Sequence, residues 1–254
     1  MGLLNGVLEA KKYYFFSDVH LGLKSRAEEK AKEKNVVNFL KTITPDAKEI
    51  YIVGDLFDCW IEYRKVVPKG YYNLLSAINN IVESGIPVHF LSGNHDFWLN
   101  TYLRDDVGMT IHYDPVELMI DNRKFFIAHG DGLSKGDTGY KIIKKILRSK
   151  FNQFLYSLIH PDIGITLAQG SSRSSRKHTD KPYGASDGMK EFAIKKISEG
   201  FDFVIMGHYH MPQKIELKEN NHSGYFITLG DWINNYTYGT YSDGAFELEY
   251  WNKT

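Results

Sequence analysis

The chain has 254 residues, of which 43% are hydrophobic and 14% aromatic, a composition typical of a folded protein and not of a disordered one. Its 31 basic residues balance its 31 acidic ones, so the net charge gives no indication of nucleic-acid binding. The single cysteine, Cys59, excludes an internal disulfide, and no apolar run is long enough to cross a membrane. We therefore expect a single domain, residues 1–254, in the cytoplasm.

Strands and helices alternate in the first part of the chain. Residues 12–17 and 51–54 have the continuous apolar pattern of buried strands, and residues 88–92 repeat it. Residues 27–42 and 69–84 between them place apolar side chains at helical spacing. This order of elements predicts an α/β fold with a largely parallel central sheet.

The remainder of the chain is richer in strands. The predicted strands are residues 109–113, 116–121, 124–128, 203–206, 213–217, 225–229 and 245–251. Residues 220–224, Asn-Asn-His-Ser-Gly, have the composition of a hairpin turn.

A basic segment interrupts this pattern. Between Thr138 and Thr179 the only acidic residue is Asp162, against eight basic ones: Lys141, Lys144, Lys145, Arg148, Lys150, Arg173, Arg176 and Lys177. Residues 137–159 have helical periodicity, so we interpret residues 133–186 as a helical cap inserted over the strand ends, with a patch for an anionic ligand. The alternative is an ordinary surface helix with a solvated charged face. Because the charge is confined to this segment, we expect no nucleic-acid partner.

Five stretches end an apolar run in Asp, Asn or His. Together they offer seven candidate metal ligands: Asp18, His20, Asp55, Asn94, His129, His208 and His210. One such stretch is commonly only a turn, but five that each follow a predicted strand would meet at the carboxyl ends of a parallel sheet. Oxygen and nitrogen donors without thiolate suit two divalent ions, for which we favour Mn²⁺ over Fe or Zn. Asp55 is the expected bridge between them.

The order Asp-x-His, Gly-Asp-x-x-Asp, Gly-Asn-His-Asp, His and Gly-His-x-His resembles that of the calcineurin-like metallophosphoesterases. The resemblance implies a four-layer αββα sandwich with two mixed β-sheets. It also implies that Asp18, His20, Asp55 and His210 hold one ion and that Asp55, Asn94, His129 and His208 hold the other. His95 and Asp96 would be the catalytic pair, with Asp96 orienting His95 beside the substrate phosphate.

Further features are similar to one branch of that family, the UDP-2,3-diacylglucosamine hydrolases of lipid A synthesis. They are Gly-Asp-Leu-Phe-Asp at 54–58 with Trp60, His-Asp-Phe at 95–97, His-Gly-Asp-Gly-Leu at 129–133, Asp137 and Tyr140 in the basic insertion, and Leu-Gly-Asp-Trp at 229–232. The chain departs from the branch at His95, where several members carry Arg.

This resemblance implies cleavage of UDP-2,3-diacylglucosamine to 2,3-diacylglucosamine 1-phosphate and UMP, through in-line attack of a metal-bridging hydroxide on phosphorus. The expected substrate contacts are Asn94, His95, Asp137, Arg173, Ser174, Arg176, Lys177 and His208. The basic, apolar cap also predicts peripheral contact with an anionic membrane surface, on the cytoplasmic face of the inner membrane. No obligatory protein partner is expected.

Two other functions fit the same residues. One is a phosphomonoesterase or phosphodiesterase that acts on a soluble substrate. The other is a non-catalytic scaffold that binds metal. The presence of every candidate ligand and of His95 argues against a scaffold.

Overall fold

The computed structural model describes residues 12–133, 144–179 and 185–252, and within them the side chains of residues 171–179, 185 and 186 are not described. The strands are β1 Lys12–Phe16, β2 Ala47–Val53, β3 Val88–Leu91, β4 Thr110–His112, β5 Val116–Ile120, β6 Arg123–Ala128, β7 Phe203–Met206, β8 Gln213–Glu219, β9 His222–Thr228, β10 Thr237–Ser242 and β11 Ala245–Tyr250. They form a six-stranded sheet of order β11-β10-β1-β2-β3-β4 and a five-stranded sheet of order β5-β6-β7-β9-β8.

Both sheets are mixed and have a parallel centre. In the first sheet β1, β2, β3 and β4 are parallel, and β10 and β11 run antiparallel at one edge. In the second sheet β6, β7 and β9 are parallel, with β5 and β8 as antiparallel edges. The parallel strands place their carboxyl ends together, and the site is built at that end.

Helices cover the outer faces of the two sheets. The helices of the described residues are α1 Arg26–Ile43, α2 Tyr72–Glu83, α3 Tyr102–Asp105, α4 Lys150–Ser157, α5 Pro161–Thr179 and α6 Ala185–Ser198, of which α4 and α5 belong to the cap segment and do not cover a sheet. The buried sides of α1 and α2, such as Phe39 and Leu74, pack on the first sheet, and Met189 and Ile197 of α6 pack on the second. None of these helices is both long and apolar enough to span a bilayer.

The inner faces of the two sheets form an aromatic core. Phe15 of β1 stacks on Tyr51 of β2 and on Phe125 of β6, with ring centroids 5.1 and 6.5 Å apart. Such packing of large rings between two sheets stabilises the sandwich by removing apolar area from water. The layers follow one another in the order helix, sheet, sheet and helix. This order confirms the expected αββα architecture.

Most predicted elements are confirmed. The helix predicted over residues 137–159 lies partly outside the described residues, and its described part is interrupted at 148–149, before α4. The Asn220 and Asn221 backbones are left-handed, as the turn between β8 and β9 requires. The sequence did not indicate β10, because Gly239 interrupts its pattern; a Cβ there would run into the Phe246 ring of β11. It also gave no indication of α6, which follows the cap segment directly.

Candidate metal centre

The five polar stretches lie at the carboxyl ends of strands, as predicted. Asp18 follows β1, Asp55 follows β2 and Asn94 follows β3, all in the first sheet. His129 follows β6 and the 208–210 stretch follows β7, both in the second sheet. Each sheet therefore contributes part of the centre, which lies at the end that the two sheets share.

Hydrogen bonds between backbones join the loops after β1 and β2. The Asp18 amide donates to the Gly54 carbonyl at 3.1 Å, and the His20 amide donates to the Asp55 carbonyl at 2.9 Å. The loop after β3 joins them, because the His95 amide donates to Asp55 Oδ1 at 3.0 Å. A Cβ at Gly93 would collide with the Asp55 carboxylate, so this position admits only glycine.

Four of the seven candidate ligands have a left-handed backbone. Their φ angles are 54° at Asp18, 48° at His20, 53° at Asp55 and 63° at His208. Asp and His tolerate this conformation better than most residues, but it still costs free energy that the surrounding contacts must offset. The His208 amide contributes one such contact, a 2.9 Å hydrogen bond to Asp18 Oδ2.

Asp55 Oδ2 lies at the middle of the centre. It is 3.6 Å from His20 Nε2, 3.3 Å from His129 Nε2 and 4.0 Å from His95 Nε2. Asp18 Oδ1 is 3.6 Å from His20 Nε2 and 3.4 Å from His210 Nε2. Three groups in the described residues bring their ligand atoms within 4.8 Å of one another: Asp18, His20 and His210; Asp55, His129 and His208; and His20, Asp55 and His95.

These groups fit divalent cations. Two ligand atoms at ~2.1 Å from one tetrahedral ion lie about 3.4 Å apart, close to the separations around Asp18 and Asp55. Asp18 Oδ1 and His20 Nε2 are buried, and neither has a hydrogen-bond partner among the described residues. A buried carboxylate and imidazole require compensation, and a cation supplies it to both. Asn94 Oδ1, 3.0 Å from His129 Nε2, adds a neutral oxygen donor to the second group.

Acceptors behind the histidines fix which ring nitrogen faces the centre. His129 Nδ1 lies 2.9 Å from the Val53 carbonyl and His95 Nδ1 lies 2.9 Å from the Asp58 carbonyl. A carbonyl only accepts, so each Nδ1 carries the proton and each Nε2 turns inward. Carboxylates take the place of the carbonyl behind His210 and His20. Asp231 Oδ2 lies 3.4 Å from His210 Nδ1, and Asp58 Oδ1 lies 3.6 Å from His20 Nδ1.

The buried charges set the protonation states. Burial would raise the pKa of Asp55, but the charges of His129 and His95 hold that pKa well below its usual range. Burial opposes a charge on His129 and His210, yet the neighbouring carboxylates Asp55 and Asp18, respectively, help to raise the pKa of each ring to about 10. His208 differs, since burial and the charge of His129 lower its pKa to about 4. The neutral ring of His208 is the form that binds metal.

Asp96 does not orient His95, contrary to the expectation from the resemblance. Its carboxylate accepts hydrogen bonds from the amides of Gly93, Asp55 and Phe57, at 2.9, 3.2 and 3.1 Å. The Asp58 carbonyl contacts the His95 ring instead. Burial and the nearby Asp55 raise the pKa of Asp96 to about 7. Asp96 therefore joins the loops after β2 and β3.

Three supporting residues had no derivable role in the sequence. Asp231 Oδ1 accepts the amides of residues 233–235 while its other oxygen faces His210, which explains the Asp-Trp pair after β9. Asp58 faces His20. Arg148, at the base of the cap segment, lies with Nη2 3.3 Å from the Gly93 carbonyl. Nothing in local sequence distinguishes Arg148 from the other basic residues of that segment.

The predicted substrate contacts fall into two sets. Asn94, His95 and His208 lie in the centre. Arg173, Ser174, Arg176 and Lys177 belong to α5, but their side chains lie outside the described residues, as does all of Asp137. These five residues stay predictions.

Comparison with known proteins shows the family of the chain and several relatives. The family model for calcineurin-like phosphoesterases matches residues 11–212. A UDP-2,3-diacylglucosamine hydrolase of Porphyromonas gingivalis is 32% identical over 256 aligned positions, covering 94% of this chain and 97% of the relative. One of the same name from Actinobacillus succinogenes is 30% identical, covering 87% and 92%. A solved archaeal phosphodiesterase is 15% identical, with a TM-score of 0.47 over 94% of this chain and 98% of that one.

The chain belongs to the calcineurin-like phosphoesterase family, since the family model matches well over half of its length. It is a metal-dependent hydrolase that works with divalent ions.

We expect Asp96→Asn to lower the free energy of unfolding by about 1–3 kcal/mol, because an amide NH₂ would face one of three buried backbone donors. The measurement is urea denaturation after removal of metal with EDTA, which separates loop packing from ion binding. Asp202→Asn is the control, since Asp202 also accepts a backbone amide, that of Lys124 at 2.8 Å, but far from the centre. Equal stability of Asp96→Asn and wild type would contradict the role of Asp96 in joining the loops.

Proposed function

We propose that the chain hydrolyses the pyrophosphate of UDP-2,3-diacylglucosamine to UMP and 2,3-diacylglucosamine 1-phosphate. Water adds to one phosphorus, the bond from that phosphorus to the bridging oxygen breaks, and the two phosphates share the protons of the water. The observation that carries the proposal is the position of Asp55 Oδ2, within 3.6 Å of nitrogens of both His20 and His129. The names of the Porphyromonas and Actinobacillus relatives support the choice of substrate.

We assign Asp18, His20, Asp55 and His210 to one ion, and Asp55, Asn94, His129 and His208 to the other. Bound there, two divalent cations would neutralise charge on phosphoryl oxygens and supply a water of lowered pKa. The absence of thiolate from this donor set favours Mn²⁺, with Fe and Zn as alternatives.

We propose that His95 donates a hydrogen bond to an oxygen of the phosphate that leaves. Its Nδ1 proton is engaged by the Asp58 carbonyl, so Nε2 carries a proton only when the ring is an imidazolium. His95 Nε2 lies 4.0 Å from Asp55 Oδ2, so a proton on Nε2 would face the centre and the phosphate bound there. An imidazolium at this position also matches the charge of the Arg that several similar hydrolases carry there.

We propose residues 133–186 as a cap that holds the lipid half of the substrate. Beside the His95 loop, Ile61, Tyr63 and Trp98 form an apolar cluster, and Tyr156 of α4 packs on Trp98 with ring centroids 5.0 Å apart. The cluster anchors the cap helices, and acyl chains would lie against the apolar side chains that these helices leave exposed, such as Phe154 and Leu155. Polar contacts to the substrate are assigned to Asp137, Arg173, Ser174, Arg176 and Lys177.

We also propose peripheral contact of the cap with an anionic membrane surface on the cytoplasmic side of the inner membrane. Phe151, Phe154 and Leu158 are 67%, 60% and 70% exposed, an unusual concentration of apolar side chains at a surface. Lys145 and Lys150 lie in the same part of the chain. In an interfacial helix, apolar residues enter the bilayer and neighbouring lysines contact the lipid phosphates. The cap segment has both kinds of residue.

The substrate assignment is tested with the Mn²⁺-loaded protein and four compounds: UDP-2,3-diacylglucosamine in mixed micelles, UDP-N-acetylglucosamine, p-nitrophenyl phosphate and bis(p-nitrophenyl) phosphate. We expect kcat/KM for the lipid to exceed the others by about 100-fold or more, since remote binding energy raises the rate. Turnover of the soluble esters alone would favour the soluble-substrate alternative. No turnover at full metal loading would favour a scaffold.

The ligand assignment predicts different losses of metal. We expect wild type to retain two Mn²⁺ ions per chain after gel filtration, Asp55→Ala to retain none and His210→Ala to retain one, because only Asp55 is shared. Metal content is measured by plasma mass spectrometry. His222→Ala is the control, a histidine that faces the Phe201 carbonyl away from the centre. Two ions in Asp55→Ala would overturn the assignment.

If the cap contacts the membrane, removal of two exposed aromatic rings should weaken binding to vesicles. We expect Phe151→Ser/Phe154→Ser to weaken sedimentation with phosphatidylglycerol-containing vesicles by about tenfold or more, since burial of one phenyl ring is worth ~1.5–3 kcal/mol. Tyr72→Ser removes a ring that is 78% exposed but lies outside the cap, and it should bind as wild type does. Vesicle binding that is the same for the double variant and wild type would exclude this surface.

A further inference from the structure

A cavity of about 330 Å³ adjoins the metal centre on the side of His129. It lies where the chain crosses from β4 in the first sheet to β5 in the second, and residues 113–115 of that crossing form one wall. Its volume is within the range of small-ligand sites. His129 itself lines the cavity, so any group bound inside adjoins the metal centre.

The cavity has an apolar side and a polar side. Phe126, Leu133 and Phe192 line the apolar side, and the rings of Phe126 and Phe192 lie 5.4 Å apart. Arg148 and His112 line the polar side. Flat apolar walls beside a few hydrogen-bonding groups are typical of sites for planar polar rings.

Arg148 is held in place at the edge of the cavity. Its two Nη atoms lie 3.2 Å from the Tyr113 carbonyl, 3.3 Å from the Gly93 carbonyl and 3.4 Å from Ser92 Oγ. A guanidinium fixed in this way beside the cavity that it lines favours a ligand with oxygen acceptors.

His112 adds a neutral imidazole to the same wall. His112 Nε2 lies 3.0 Å from His89 Nδ1, whose ring also lies 3.4 Å from Glu49 on the neighbouring strand. Burial and the proximity of His89 lower the pKa of His112, so its ring stays neutral near pH 7. The polar lining therefore offers a guanidinium and a neutral ring, together with the carboxylates of Asp114 and Asp131, of which Asp131 pairs with Lys144 at 2.6 Å.

We propose that this cavity binds the uridine of UDP-2,3-diacylglucosamine, an inference that rests on the proposed function. Uracil is planar and presents two carbonyl acceptors, which suits rings on one wall and Arg148 on the other. An acyl chain there would offer no hydrogen-bonding group to the polar residues that line the cavity, such as Arg148 and Asp131. The lipid is assigned to the exposed apolar side chains of the cap helices, so the two halves of the substrate lie in different neighbourhoods of the centre.

The test measures binding of 5-fluoro-UMP to the Mn²⁺-loaded protein by ¹⁹F NMR, in competition with UMP. Leu133→Trp fills the cavity with a larger side chain. We expect this variant to raise the Kd of 5-fluoro-UMP by about tenfold or more. Its metal content is measured in parallel to show that the centre is intact. Phe192→Ala removes the facing wall instead, and it should weaken binding in the same direction if Leu133→Trp does not fold. Met119→Trp, which adds an indole to a position of β5 that is 57% exposed, is the matched control and should bind as wild type does.

Phenyl phosphate has a phosphate but no nucleoside, so its binding distinguishes contacts to the nucleoside from contacts to the phosphate. A loss of 5-fluoro-UMP affinity in Leu133→Trp that exceeds the loss for phenyl phosphate supports the inference, and equal losses overturn it. Wild-type hydrolysis of the UDP-lipid together with unchanged 5-fluoro-UMP binding in both cavity variants would overturn the inference and leave the proposed function intact. Cavity-dependent nucleotide binding without hydrolysis of the UDP-lipid would reject the proposed substrate and support the nucleotide site.

Discussion

The buried carboxylate of Asp55 is the group on which the rest of the centre depends. Its Oδ1 accepts the His95 amide, its Oδ2 faces nitrogens of His20 and His129, and its own amide is bound by Asp96. Two other loops of the same sheet and one of the second sheet are therefore positioned against a single residue. A displacement of Asp55 would alter the hydrogen bonding of the loops and the geometry of the ligands at once.

Electrostatics explain how so many ionisable groups are buried together. Asp18 and Asp55 are both buried, and each has a pKa below its usual range because histidines surround it. Protonated histidines and divalent cations compensate the same carboxylates, so the two compete for one set of positions. The Val53 carbonyl behind His129 and the Asp231 carboxylate behind His210 keep Nε2 of each ring toward the carboxylates in either state.

The sequence was sufficient to predict the ends of the strands and that the polar side chains after them would lie together. An apolar run that stops at Asp, Asn or His is visible locally, and parallel strands bring such ends together. It was not sufficient for Asp231 and Arg148, which act through contacts with residues far away in the chain. Asp96 was assigned to the wrong partner because it follows His95 directly, while adjacent side chains in a tight loop point in different directions. The strand β10 was not predicted because Gly239 interrupts its pattern. Glycine is needed there to leave space for Phe246, which lies on another strand.

The left-handed backbones at Asp18, His20, Asp55 and His208 have a consequence for how this sequence can diverge. Any replacement there must first adopt a conformation that β-branched side chains avoid, and only then supply a donor atom to the centre. Thr, Val and Ile fail the first requirement, and Gly fails the second. Few residue types other than Asp, Asn and His satisfy both. Variation in these loops is therefore restricted by backbone shape as well as by chemistry, a double restriction that does not apply to the cap residues within 144–179.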